Sequence, residues 1–301
     1  MLQLKGVIPA LTTPFTDDRA LDVPAFRRLV DHVIADGVHG ILVAGCTGES
    51  WALEDDDRFE LFRAAAEQAA GRVPVVVGCG AMLARHAIRK VKQAERAGCD
   101  AVMVQPPSYV MPGEHEVLDY YLQIVEASSL PIVLYNIPRR TGVNLSVTLV
   151  ERLAEEPKVV ALKESSKDFL LLSEMVRRVG DRIGVFAGYV SVLGLGALAI
   201  GAVGYMDSST AVLGSRSVEF YRAATSGDLV TARRIQNQMA RLNAGFFGIG
   251  TFPAAVKAAL DLLGRPGGWT RDPIRPLTSE ERHRVRAVLE EVGLLPAVVP
   301  A

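Results

Sequence analysis

Eight short apolar runs recur along the chain and are separated by stretches whose apolar residues follow a helical period. Strands buried on both faces have continuous apolar sequences, and neighbouring parallel strands are joined by a helix crossover. The runs are spaced by roughly 20 to 34 residues, which is typical of one βα unit each. The predicted strands are Val7–Ala10, Ile41–Ala44, Pro74–Gly78, Ala101–Val104, Ile132–Tyr135, Val159–Lys163, Gly184–Gly188 and Val203–Met206.

The segments between these runs predict helices, and several helix ends have recognisable signals. Asp22-Val23-Pro24 places an N-cap residue before a proline in the first turn. Glycine follows three helices at positions 71, 98 and 180, which is a common way for a helix to end. The predicted helices are Pro24–Asp36, Glu54–Ala70, Leu83–Ala97, Glu114–Ala127, Ser146–Ala154, Phe169–Val179 and Val192–Ile200.

Eight βα units predict an α/β protein with a (β/α)8 TIM barrel over residues 1–215. An open, doubly wound sheet is the alternative that this pattern also allows. Residues 216–301 lie outside the repeat and predict a C-terminal helical extension packed on the barrel. Its expected helices are Ser217–Ala224, Leu229–Leu242 and Thr251–Leu263, followed by a last helix that begins with a capping box at Thr278–Glu281.

The uncharged segment from Ile183 to Met206 is long enough to span a bilayer. Six glycines interrupt it, and they divide it into a strand, a small-residue helix and another strand. We therefore predict a buried βαβ unit and no membrane span.

Composition narrows the class of protein. The net charge of −1 and the charged fraction of 22% give no basis for binding nucleic acid or an anionic membrane surface. Three cysteines without a CxxC pair are typical of a reducing compartment, and the N-terminus lacks the pattern of a signal peptide. We predict a cytoplasmic protein. Trp51 and Phe246-Phe247 are expected to serve packing and not function.

Lys163 ends a buried strand, and this position gives it possible chemistry. Burial disfavours the charged amine and so lowers its pKa. A neutral lysine amine is a nucleophile toward ketones, and Tyr135 at the end of the preceding strand could move the proton. The alternative is a structural lysine that extends from a strand end into solvent.

Because catalytic groups of such barrels lie at the carboxyl ends of the strands, the residues after the other runs are candidates too. The turn Gly45–Ser50 combines glycines with small polar side chains, which suits a carboxylate or phosphate, although it could be an ordinary capped turn. Arg139 and Arg140 could bind a carboxylate or could be surface charges. Together, the amine, the phenol, the turn and the arginines predict class I chemistry, in which a lysine forms an imine with the ketone of a 2-oxo acid.

Other chemical classes have little support. The five histidines show no metal-ligand spacing, so no metal is expected. The glycines at 194 and 196 imitate a dinucleotide-binding fingerprint but fall inside a predicted helix, so no nucleotide cofactor is expected either.

Three motifs in order give the chain a family resemblance. They are Gly45-Cys46-Thr47-Gly48-Glu49, Tyr135-Asn136-Ile137-Pro138 and Leu162-Lys163-Glu164. With them, the chain resembles the dihydrodipicolinate synthase/N-acetylneuraminate lyase family of pyruvate-type Schiff-base enzymes on a (β/α)8 barrel.

The resemblance implies a role for each matching residue. Lys163 would form the imine and Tyr135 would be the acid–base group, with no other cofactor. Thr47 and the turn amides would hold the carboxylate of the 2-oxo acid. The backbone of Gly188 and Met206 would line the pocket, and Arg140 would face a second carboxylate. A homotetramer built as a dimer of dimers is also implied.

Three positions differ from the pattern of the family's synthases. Cys46 stands where the synthases have a first threonine, and Ser108 aligns with a tyrosine that a neighbouring subunit contributes; Tyr109 could replace that tyrosine only if the loop shifts by one residue. Asp207, at the end of the last strand, is unusual and could tune a proton or bind a substrate hydroxyl.

We predict a lyase that makes or breaks a bond next to the ketone of pyruvate or another 2-oxo acid, with aldol cleavage or condensation as the leading form. The alternatives are the lysine-pathway synthase, a dehydratase or deaminase that uses the same imine, and a silent 2-oxo acid-binding scaffold.

Overall fold

The fold is a barrel of eight parallel strands, seen in a computed structural model that describes residues 2–296. Met1 and the final part of the predicted extension, 297–301, lie outside that range. Each strand pairs with its sequence neighbours, and β1 also pairs with β8. A bridge between Ala10 and Leu42 joins β1 to β2 and completes the ring. The strands are β1 Gly6–Pro9, β2 Ile41–Val43, β3 Val75–Gly78, β4 Ala101–Val104, β5 Ile132–Asn136, β6 Val159–Glu164, β7 Gly184–Ala187 and β8 Gly204–Asp207.

Thirteen α-helices are described within residues 2–296. The predicted (β/α)8 barrel with additional C-terminal helices is therefore confirmed, and the open sheet is excluded. The helices are α1 Val23–Ala35, α2 Asp55–Ala69, α3 Ala84–Ala97, α4 Glu114–Ala127, α5 Pro138–Thr141, α6 Val147–Leu153, α7 Phe169–Val179, α8 Val190–Ala199, α9 Ser209–Leu213, α10 Ser215–Ser226, α11 Leu229–Phe246, α12 Phe252–Leu262 and α13 Ser279–Glu291.

Successive side chains along each strand point alternately into and out of the barrel, and this alternation separates two apolar cores. Ile8, Val133, Ala161 and Phe186 belong to the cluster inside the barrel. The intervening residues, such as Leu134 and those at equivalent positions, pack outward against the helices. This division places Lys163 on the inner face, because it lies two residues after Ala161 on the same strand.

Most predicted helix signals are present. The Asp22 side chain accepts a hydrogen bond from the Ala25 amide, and Thr278 and Glu281 form the predicted capping box. Gly98 ends α3 in the left-handed region at a φ of 77°. Gly180 also ends its helix as predicted, but its φ of −64° is right-handed, so α7 ends without a left-handed turn.

The long uncharged segment forms β7, α8 and β8, as predicted. Within residues 2–296, no helix combines the length and the apolar character needed to cross a bilayer. The strands β7 and β8 of this segment are buried almost completely, whereas α8 is buried on one side only.

The C-terminal helices are joined to the barrel by specific polar contacts. The Gln236 side chain on α11 donates to the carbonyls of Val190 and Ser191, each at 2.9 Å, and accepts from the Leu195 amide at 2.9 Å. Arg265 pairs with Asp36 after α1. α10 begins at Ser215, and the division into a barrel of 1–215 and an extension of 216–301 stays a prediction.

Candidate active site

Tyr135 and Lys163 lie side by side at the carboxyl end of the barrel. They are register partners on β5 and β6, so their side chains leave the sheet at the same level. The Lys163 Nζ lies 4.5 Å from the centroid of the Tyr135 ring. The pairing of two neighbouring strands therefore brings an amine and a phenol together.

Lys163 is held in an environment that favours its neutral amine. The residue is 6% exposed, and burial lowers the pKa of its amine to about 8, although the nearby Asp207 carboxylate opposes the shift. Roughly one amine in ten is then neutral at pH 7, against about one in three thousand for an ordinary lysine. This supplies the nucleophile that imine formation needs.

The phenol of Tyr135 keeps its proton near neutral pH. Burial raises its pKa well above the usual value, while Arg140 acts weakly in the opposite direction. A neutral phenol can donate a hydrogen bond or a proton to an oxygen bound next to Lys163.

The turn after β2 presents backbone amides that are free to bind a ligand. The amides of Cys46, Thr47 and Gly48 donate no hydrogen bond to any partner among residues 2–296. The turn is held from behind, because the Thr13 hydroxyl donates to the Gly48 carbonyl at 2.8 Å. Successive free amides in such a turn suit an anion.

Glu49 closes this turn and is itself buried. It adopts a left-handed conformation with a φ of 51°. Its carboxylate forms a buried ion pair with Lys257 on α12 and accepts a hydrogen bond from the Arg271 amide at 3.0 Å. The C-terminal extension thus supports the turn that contains Thr47.

A cavity of about 100 Å³ joins these groups. Of the predicted site residues, its lining includes Lys163, Tyr135, Cys46, Thr47, Arg140, Gly188, Met206 and Asp207. Arg139, which the sequence also offered as a carboxylate-binding residue, borders the same cavity. The remaining lining residues were not singled out as a site from the sequence, namely Ala10, Ile137, Ser165, Tyr189, Ser208, Asn243, Phe247 and Phe252.

Gly188 is required by close packing at this point. A Cβ atom on Gly188 would lie 1.7 Å from the Ser165 hydroxyl and 2.8 Å from the Glu164 carbonyl. Any larger residue would therefore displace the strand end that contains Lys163.

The mouth of the cavity is cationic. Arg139, Arg140 and Lys167 form no ion pair with any acidic residue in the range 2–296. The Lys167 Nζ lies 4.5 Å from the Tyr189 ring and 5.0 Å from the Phe247 ring. Phe247 therefore borders the site, whereas Phe246 is packed in the core as expected.

Ser108 and Tyr109 lie apart from Lys163. Ser108 borders a second cavity of about 260 Å³, which shares Cys46, Tyr135 and Arg140 with the first. Tyr109 is 86% exposed and has a left-handed φ of 74°. Within a single chain, neither side chain joins the cavity that contains the lysine.

Cavity volume alone would select a different candidate site. A wider cleft of about 720 Å³ lies between Phe15 and α12, but it does not include Lys163 or Tyr135. Among residues 2–296, no group of three His, Cys, Asp or Glu side chains is arranged to hold a metal ion. The paired amine and phenol therefore mark the smaller cavity as the candidate site.

Comparison with known sequences finds relatives that match nearly the whole chain. The 4-hydroxy-tetrahydrodipicolinate synthase of Desulforudis audaxviator is 34% identical over 289 residues, which cover 96% of this chain and 98% of that protein. The synthase of the same name from Acidobacterium capsulatum is 36% identical over 98% of this chain and 97% of that protein.

Solved structures of proteins from the same family are also similar to this chain. Dihydrodipicolinate synthase from Bacillus anthracis superimposes with a TM-score of 0.93 at 31% identity and covers all of both chains. A prophage protein of the dihydrodipicolinic acid synthase family from E. coli K12, solved in complex with pyruvate, has a TM-score of 0.93 at 29% identity over 98% of this chain and 100% of that chain.

The sequence model of the Dihydrodipicolinate synthetase family matches residues 3–292. The family resemblance, the class of fold and the class of enzyme expected from the sequence are confirmed. The chain belongs to the dihydrodipicolinate synthetase family and is a lyase of its Schiff-base, pyruvate-type class.

Proposed function

We propose that this chain makes or breaks a carbon–carbon bond next to the ketone of pyruvate or a longer 2-oxo acid, through an imine on Lys163. The observation that carries the proposal is the buried Lys163 amine, with its pKa lowered to about 8 and its Nζ 4.5 Å from the Tyr135 ring. An amine that is both neutral and next to a proton donor is equipped for imine formation.

Each step of the reaction then has a candidate group. The neutral amine adds to the C2 carbonyl, and Tyr135 gives its proton to the oxygen that leaves as water. Loss of a proton from C3 converts the imine to an enamine, whose C3 attacks an aldehyde carbon to form the new bond. Water then hydrolyses the product imine and restores the amine. Cleavage follows the same steps in reverse.

The charges around the cavity support binding of an anionic substrate. The free amides at Thr47 would hold the carboxylate of the 2-oxo acid, and the Arg140 guanidinium at the mouth would hold a carboxylate on the second partner. Because both groups act on the bound substrate, their loss should raise KM more than it lowers the rate of imine formation.

Release of pyruvate tests this function. Purified protein is given a panel of 4-hydroxy-2-oxo acids, and pyruvate is measured with lactate dehydrogenase. We expect release from at least one acid with a second carboxylate, with full activity after treatment with EDTA. No release from any acid, together with no condensation of pyruvate with aldehydes in the reverse direction, would contradict the proposed function.

The pKa of Lys163 gives this chemistry a pH dependence. For a nucleophile with a pKa of about 8, the rate should rise about tenfold with each pH unit up to pH 8 and level off above it. The rate of pyruvate trapping by cyanoborohydride, followed on the peptide that contains Lys163, checks this. A rate that still rises tenfold per unit beyond pH 9 would mean an ordinary lysine.

We also propose that the chain assembles, with a second copy covering the loop 105–112. Tyr109, Val110 and Met111 are 86%, 58% and 64% exposed, and Trp51 and Met82 add further exposed apolar surface. Contiguous apolar surface of this kind is typical of an interface. The cytoplasmic location, predicted from the cysteines, and the homotetramer, implied by the family resemblance, likewise remain proposals. Mass measurement in solution tests assembly, and a monomer at micromolar concentration would contradict it.

A further inference from the structure

Asp207 lies across the cavity from Tyr135. Around the barrel, β5 contributes Tyr135, β6 contributes Lys163 and β8 contributes Asp207, and Gly188 follows directly after β7. A substrate attached to Lys163 is therefore flanked by a phenol on one side and a carboxyl group on the other.

The structure fixes the orientation of this carboxyl group. Its Oδ1 accepts hydrogen bonds from both the amide and the hydroxyl of Ser209, the first at 2.7 Å. Asp207 is only 8% exposed, so these bonds hold a side chain that has little room to turn.

The cavity side of Asp207 has a different environment. Asp207 borders the cavity that contains Lys163, and the backbone amide of Val190 at the start of α8 also acts on its carboxylate. The carboxylate acts on the Lys163 amine through space without forming an ion pair with it in the described part of the chain. The gap between the two groups is thus available to the substrate.

We propose that Asp207 is the acid–base group for the hydroxyl at C4 of a 4-hydroxy-2-oxo acid substrate. The inference rests on the proposed function of Lys163. In cleavage, the carboxylate takes the proton of the C4 hydroxyl, C4 becomes an aldehyde carbon, and the electrons of the C3–C4 bond form the enamine. In condensation, the protonated carboxyl group gives that proton to the aldehyde oxygen.

Other nearby groups are less suited to this proton transfer. Tyr135 lies on the opposite side of Lys163, where it serves the oxygen at C2. The Cys46 thiol is a weak hydrogen-bond donor, and Ser108 borders the second cavity. Burial raises the pKa of the Asp207 carboxyl group, so it takes up a proton more readily than an exposed aspartate.

The test separates imine formation from bond cleavage by means of an Asp207→Asn variant. Asparagine keeps the shape and an oxygen for Ser209 but cannot accept the hydroxyl proton. Exchange of the pyruvate methyl hydrogens in D2O needs only the imine and enamine, and we expect it to stay within about threefold of the wild type. Cleavage of 4-hydroxy-2-oxoglutarate should fall about 100-fold in kcat.

Two further variants make the result interpretable. Asp181→Asn makes the same chemical change at a side chain that is 84% exposed, and both rates should be unchanged. Asp207→Ser also removes the carboxylate and should reproduce the selective loss if the asparagine variant fails to fold.

Each remaining outcome has a distinct meaning. If the wild type fails to exchange pyruvate hydrogens, the proposed function itself fails. If the wild type exchanges them but cleaves no 4-hydroxy-2-oxo acid, or if Asp207→Asn slows exchange and cleavage equally, the role of Asp207 is overturned while the Lys163 imine stands.

Discussion

The Lys163→Ala variant is expected to lose lyase turnover by roughly four orders of magnitude or more, because it removes the amine that we propose forms the covalent intermediate. Lys163 is the lysine whose amine borders the cavity shared with Tyr135 and Thr47. Its removal leaves the pocket in place but takes away the nucleophile. Pyruvate release from the best 4-hydroxy-2-oxo acid measures the loss.

A matched control separates this chemical loss from a general effect of removing a lysine. Lys5 is exposed and lies at the opposite end of β1 from the site, so Lys5→Ala should retain full turnover. Near-UV circular dichroism should show that the Lys163→Ala variant is folded. A folded Lys163→Ala protein with more than about 1% of wild-type kcat would contradict imine catalysis at this residue.

The Lys257→Met variant is expected to reduce the free energy of unfolding by about 3–5 kcal/mol, because it leaves a buried carboxylate without its cation. Lys257 and Glu49 are 2% and 0% exposed, and the Lys257 amine also donates to the Trp269 carbonyl at 2.5 Å. Denaturation by urea at a fixed protein concentration measures the change. KM should rise as well, since Glu49 closes the turn that contains Thr47.

A surface ion pair provides the comparison for this prediction. Lys92 is 50% exposed where it pairs with Glu95, so Lys92→Met should cost less than about 1 kcal/mol. Adding Glu49→Gln to Lys257→Met removes the unpaired buried carboxylate and should restore part of the stability. Equal losses for Lys257→Met and Lys92→Met would show that the buried pair does not support the turn.

The sequence predicts the barrel because its strands are buried on both faces. Continuous apolar runs located all eight strands to within about a residue or two. The short helices α5 and α9 were missed, because four or five residues are too few to show a helical period. The predicted helix end at Gly180 is confirmed, although this glycine has a right-handed conformation, since a glycine permits the left-handed region without requiring it.

The site was predictable to the extent that it lies at strand ends. Lys163, Tyr135 and Asp207 each fall in the last two residues of a strand, so the position of the run identified them. Asn243 and Phe247 come from the region of α11, and only tertiary packing brings them to the cavity. The sequence predicted packing for both Phe246 and Phe247, because nothing local distinguishes the half-exposed Phe247 from the buried Phe246.

The relation between Asp207 and Lys163 also required the structure. The sequence shows an aspartate at a strand end but not which of its oxygens is occupied. The hydrogen bonds from Ser209 settle the orientation of Oδ1. A choice between tuning a proton and binding a hydroxyl, open from the sequence, thus becomes a specific hypothesis.

Mass spectrometry of the protein after incubation with pyruvate and borohydride tests the central claim most directly. We expect a single reduced pyruvyl adduct, and peptide mapping should place it on Lys163 at the end of β6. An adduct on another lysine, or no adduct with pyruvate or any longer 2-oxo acid, would contradict the assignment of imine chemistry to Lys163.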